Sequence, residues 1–140
     1  MAPEAALRLL LVEDNPGDVC LAREALAASA IPAEVVVAAD GVSALAILRT
    51  RADEGSPVHA VLLDLNLPGW SGFEVLSEIR RDPRLRHLVV VVLSSSSSEA
   101  DIARAYRGQA DCYVTKPADL DEYVAAVRSI QEFSLHARDR

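Results

Sequence analysis

The stretch Val61-Leu62-Leu63-Asp64-Leu65-Asn66-Leu67-Pro68-Gly69 decides how the rest of the chain is read. It begins as an apolar run without polar alternation, which reads as a strand buried on both faces. The run ends at a carboxylate, Asp64, and a Pro-Gly turn at once forces the chain off the strand. Open α/β sheets place their ligand sites beyond the carboxyl ends of the strands. The ordinary alternative is that Asp64 simply caps a loop. Its meaning depends on what stands at the other strand ends.

Outward from that stretch, strand-like and helix-like segments alternate. Leu7 to Val12 is short and apolar, and Glu13-Asp14-Asn15-Pro16-Gly17-Asp18 follows it. Asn15 is a good cap and Pro16 suits the first turn of a helix, which the pattern carries to about Ala30. Valine-rich Ala33 to Ala39 is the second strand, Asp40-Gly41 a turn, and Val42, Ala44, Leu45, Ile47 and Leu48 recur at helical spacing. Val58 to Leu63 is the third strand, and Phe73, Val75, Leu76 and Ile79 mark a third helix closed by Asp82-Pro83. Leu88 to Leu93 is a fourth strand. Ser98 with Asp101 resembles a capping box opening a helix from Glu99 to about Arg107. Ala110 to Val114 is the fifth strand. A last helix runs from Ala118 or Asp119 to about Ser134, and the polar tail His136 to Arg140 is expected to fray. Five strands alternating with five helices, joined by short connections and without a repeat, predict one α/β domain with a parallel sheet covered on both faces.

Bulk properties narrow the function. The chain has 140 residues, half of them apolar, which suits one domain with a packed core. The formal net charge of -7 makes nucleic acid a poor partner, since no basic stripe exists to displace counterions. Cys20 and Cys112 are far apart and form no metal or redox spacing. Met1-Ala2-Pro3-Glu4 is not the start of a secretory signal, and no apolar run approaches the roughly 20 residues of a membrane span. A cytoplasmic protein is expected, with no membrane partner.

In such a sheet all carboxyl ends of the strands open on one edge. The residues just past them form a consistent set: Glu13 and Asp14 after strand one, Asp64 and Asn66 after strand three, Ser94 and Ser95 after strand four, Thr115 and Lys116 after strand five. Each has an ordinary explanation, such as acids near a helix start or a solvated loop lysine. Together they have a chemistry. Crowded carboxylates repel unless a cation sits among them. Oxygen donors suit Mg2+, which commonly takes one or two carboxylates, waters and phosphate oxygens. A hydroxyl and a lysine beside the ion are what the equatorial oxygens of a phosphoryl group need. Asp64 is then the nucleophile, Glu13 and Asp14 hold the metal, Asn66 offers its main-chain carbonyl, and Ser94, Ser95 and Lys116 bind phosphoryl oxygens.

Val12-Glu13-Asp14-Asn15, Leu63 to Gly69 with Gly72, Leu93-Ser94-Ser95 and Tyr113-Val114-Thr115-Lys116-Pro117 together resemble the receiver domain of two-component response regulators. The resemblance covers almost the whole chain. Asn15-Pro16-Gly17-Asp18, Asn66-Leu67-Pro68-Gly69-Trp70 and the length of the last helix look most like the stand-alone regulators associated with bacterial phytochromes. It implies a flavodoxin-like, doubly wound fold with strand order 2-1-3-4-5. It also implies Mg2+-dependent transfer from a sensor histidine kinase to Asp64, in a protein that catalyses only its own phosphorylation and dephosphorylation. The family further implies a cis peptide at Lys116-Pro117 and a switch in which Ser94 and Tyr113 move together. No effector domain is expected, so output is expected through protein contacts, onward phosphoryl transfer or a phosphate sink. Trp70, beside Asp64, is a candidate contact for the kinase or a cover for the site. Tyr123, Ile130 and Phe133 exceed one core-facing stripe, which predicts a homodimer through the helix 4, strand 5 and helix 5 face.

Three rival classes fit the sequence less well. An aspartyl phosphatase of the haloacid-dehalogenase type wants Asp-x-Asp after strand one, where this chain has Glu13-Asp14-Asn15. A nucleotide-binding domain lacks its glycine-rich loop here. A binding module without phosphorylation would not need the complete set of residues.

Overall fold

Strict alternation along the strands builds the core. The structure, a computed structural model, describes residues 6–28, 31–116 and 119–138. The elements are β1 (Leu7–Val12), α1 (Pro16–Ala28), β2 (Ala33–Ala38), α2 (Gly41–Asp53), β3 (Ala60–Leu63), α3 (Gly72–Arg81), β4 (Val89–Ser94), α4 (Glu99–Arg107), β5 (Cys112–Thr115) and α5 (Leu120–Arg138). All strand pairs are parallel, in the order β2-β1-β3-β4-β5. Because side chains of a strand point alternately to opposite faces, each central strand feeds two cores. Leu10, Val12, Val61, Leu63, Val90 and Val92 pack with α2 and α3 on one face. Leu9, Leu11, Ala60, Leu62, Val91 and Leu93 pack with α1 and α5 on the other. That double burial is why these strands read as unbroken apolar runs.

Several boundaries differ from expectation. The third strand begins at Ala60 rather than Val58, where the His59 ring nitrogen Nδ1 accepts the Arg8 N–H at 2.8 Å. Gly41 starts α2 instead of ending a turn, because the Asp40 carboxylate caps the helix by accepting the Ser43 N–H at 2.7 Å. β4 includes Ser94, whose carbonyl accepts the Lys116 N–H at 2.7 Å. β5 starts at Cys112 rather than Ala110. The last helix continues to Arg138, so the described part of the tail that was expected to fray, residues 136–138, is helical. Tyr123 and Ile130 are not surplus apolar surface but lie in the core at 2% and 3% exposure. Of that trio only Phe133 is exposed.

Candidate functional site

The sheet order reverses direction between β1 and β3, and a crevice opens there at the carboxyl ends of the strands. Glu13 leaves β1 and is fixed by its N–H to the Ala38 carbonyl. Asp64 leaves β3 with its N–H on the Val12 carbonyl at 3.1 Å, which sets the two acids side by side. Glu13, Asp14 and Asp64 each offer an oxygen, all within 4.8 Å of one another. Glu13 and Asp64 are buried and Asp14 is exposed, so the crevice has one wet side.

The loop after Asp64 is shaped around this acid. The Asn66 N–H donates to Asp64 Oδ1 at 3.1 Å. Gly69 has a φ of 75°, in the left-handed region that glycine enters without penalty. Gly72 then returns so closely that a Cβ there would overlap the Asp64 carbonyl oxygen and the Leu65 Cα. Ser71 and Glu74 form a reciprocal capping box, which fixes the start of α3 just beyond the site.

Lys116, the single lysine of the chain, comes from the end of β5. Its Nζ lies 2.5 Å from Glu13 Oε1, 2.9 Å from Asp18 Oδ2 and 3.3 Å from Asp64 Oδ2. Burial works against its charge, but the carboxylates of Glu13 and Asp18 outweigh this and hold its pKa above the ordinary lysine value. Burial pushes Glu13 up to about 7, and the hydrogen bond from Lys116 opposes this only in part. Asp64 beside it adds to the rise at Glu13, and the crevice carries more negative charge than one ammonium neutralises. A second cation would remove the excess. Carboxylate oxygens from three residues, one of them reachable by water, suit a hard divalent ion with partial hydration.

Ser94 is fully buried at the end of β4, and its Oγ accepts the Ser96 N–H at 3.1 Å. Ser95 is exposed in the following loop. Tyr113 donates its phenol O–H to the Ser96 carbonyl at 2.7 Å, tying β5 to the loop that carries Ser94. Ser96 Oγ is in turn 2.6 Å from Asp101 Oδ2 in the first turn of α4. Trp70 is half-buried against Gly41 and the core rather than standing free. The expected cis bond at Lys116-Pro117 lies outside the described residues, since Pro117 is not among them. Sequence reasoning brought together Glu13, Asp14, Asp64 and Lys116 correctly. It missed Asp18, quoted only within the stretch that follows strand one; the structure places it in the first turn of α1, against Lys116. It also missed Tyr123, whose phenol, pushed up to about 12 mainly by burial, feels the charges of Lys116, Asp18, Glu13 and Asp64.

A doubly wound sheet with acids at the β1 and β3 ends and a lysine from β5 defines a class, and the comparisons agree with it. Residues 9–128 match the response regulator receiver domain model, and the chain belongs to that family. Response regulator Rcp1 of Synechocystis sp. is 40% identical over 129 residues, which are 91% of this chain and 88% of that protein. Among solved structures, the phosphorylated cyanobacterial phytochrome response regulator RcpA superposes with a TM-score of 0.85 at 46% identity, covering 94% of this chain and 95% of that one. The Mn(2+)-bound form of Rcp1 gives 0.78 at 40% identity, covering 90% and 92%. The protein is a two-component signalling receiver related to phytochrome-associated regulators, in a family that histidine kinases phosphorylate on an aspartate.

Proposed function

We propose that this receiver accepts a phosphoryl group on Asp64 from the phosphohistidine of a sensor kinase. The observation that carries the assignment is the position of Asp64: buried at the β3 end, within 4.8 Å of two further acids and 3.3 Å from the only lysine. A carboxylate oxygen of Asp64 forms the new bond to phosphorus. The bond from phosphorus to the histidine nitrogen breaks, and its electron pair leaves on the imidazole. The Asn66 N–H on Asp64 Oδ1 leaves the other oxygen to react. Glu13, Asp14, Asp64 and the Asn66 main-chain carbonyl would hold Mg2+. When bound, that ion supplies charge neutralisation for the phosphoryl oxygens. Lys116 and the Ser94 hydroxyl bind the remaining oxygens, with Ser95 at the mouth. Ser94 and Tyr113 form the switch, since the Tyr113 bond to the Ser96 carbonyl joins β5 to the loop after Ser94. The protein catalyses only this transfer and the hydrolysis of the resulting aspartyl phosphate, in which water attacks phosphorus, inorganic phosphate leaves and the Asp64 carboxylate is restored.

Similarity to RcpA and Rcp1 favours a phytochrome-type kinase as partner. Half-buried Trp70, in the loop that follows Asp64, is the candidate contact for it. We also assign a homodimer to the face of α4, β5 and α5, where Tyr106, Leu120 and Phe133 are exposed at 48%, 42% and 41%. Incubation with acetyl phosphate and Mg2+, read by intact mass, tests the central claim. A single phosphate adduct is expected in the wild type and none in Asp64→Asn. An unmodified wild-type mass would favour a binding module that keeps the fold without the chemistry.

A further inference from the structure

Lys116 occupies the carboxylates that fit the cation. Its Nζ is 2.5 Å from Glu13 Oε1 and 3.3 Å from Asp64 Oδ2, and both acids belong to the cluster of three. Two cations on the same oxygens repel, so an ion arriving at Glu13 and Asp64 must weaken their hold on the ammonium. The Lys116 side chain is only 11% exposed. Losing both partners would strand a mostly buried charge, which is costly.

Asp18 offers a third partner. Its Oδ2 is 2.9 Å from Nζ, and it stands outside the cluster of three acids. It sits in the first turn of α1, and its main-chain N–H donates to Asn15 Oδ1 at 3.1 Å. A lysine ammonium has three donors. Here they face three carboxylates from three different elements, and only the one on α1 is spare when a cation claims the other two.

We propose that Asp18 is a positioning residue that holds Lys116 while a divalent cation takes over Glu13 and Asp64. The inference rests on the metal reading given above. It predicts that Asp18 aids cation binding through Lys116 and not merely through its own negative charge. Without Asp18, the lysine stays on Glu13 and Asp64 and competes with the ion.

A double-mutant cycle separates these effects, read by calorimetric titration with Mg2+ on the full chain, with thermal melts showing that each variant is folded. Asp18→Asn is expected to weaken Mg2+ binding by about three- to tenfold, a coupling of ordinary size for contacting residues. In the Lys116→Ala background the same substitution should change binding by less than about twofold. Asp18→Glu should restore near wild-type affinity. An equal loss in both backgrounds would mean plain charge attraction and would overturn the proposal. Wild-type affinity in Asp18→Asn would overturn it as well. A wild-type protein that takes up no Mg2+ would instead overturn the metal reading itself.

Discussion

Glu13 shows how the single residue bears on the whole. Its pKa is raised to about 7 by burial, above the ordinary 4.5. Between those values the folded protein binds a proton that the unfolded chain has released, so stability falls as pH rises. In chelator-treated protein, the unfolding free energy is therefore expected to decline from pH 5 to pH 7. Glu13→Gln should flatten that decline. A wild-type curve that rises through this window, once corrected for the other groups, would contradict the burial argument. Asp14→Ala should abolish Mg2+ binding, and an unchanged titration would count against its place among the ligands. Lys116→Ala is expected to bind the ion still but not to switch. Glu13, Asp14, Asp64 and Lys116 were legible in the sequence because each stands one or two residues past the end of an apolar run. Asp18 was not, because it lies within α1 rather than at a strand end, and its meeting with Lys116 depends on how that helix is aimed.

At the scale of the element, the loop from Asp64 to α3 is the sensitive one. Gly72 touches backbone, not a movable side chain, so Gly72→Ala has to shift the strand end or the helix start. We expect a loss of about 1–3 kcal/mol, typical of inserting atoms into a packed place, together with weaker Mg2+ binding. Denaturant titration and calorimetry check the two parts separately; an unchanged unfolding midpoint would refute the close approach. Ser71→Ala removes half of the capping box and should cost about 1 kcal/mol. The sequence showed that a turn must follow Asp64, from Pro68-Gly69, and that Phe73, Val75, Leu76 and Ile79 form a helix. It did not show the close return of Gly72, since that depends on the distance between two backbones. Elements with strong periodicity were read well. Their ends were not, because side chains such as His59 and Asp40 settle the last hydrogen bonds.

The molecule as a whole is a sheet with two faces, and its exposed apolar residues are few. Leu21, Val42, Tyr106, Leu120 and Phe133 are the large ones among the described residues. Three of these lie on α4 and α5 and support the proposed dimer. Light scattering at high micromolar concentration should give twice the monomer mass, and Phe133→Asp should halve it. A wild-type monomer under those conditions would remove the dimer. Fold class was readable from alternation alone, and the strand order came with the resemblance. The surface was harder: Tyr123 and Ile130 looked like spare apolar area because one residue in a helix does not reveal how far α1 and the sheet wrap around it. Among the described residues, no helix is long and apolar enough to cross a membrane.

The chain has one lysine, and it is the cation of the crevice. Apart from the chain terminus, every primary amine that an acylating reagent can find is therefore in one place. Labelling of Lys116 is expected to be slow while three acids grip it, and to change with whatever enters. A simple chemical footprint, read as one modified peptide, thus follows occupancy without a dye, a tag or a second tryptophan.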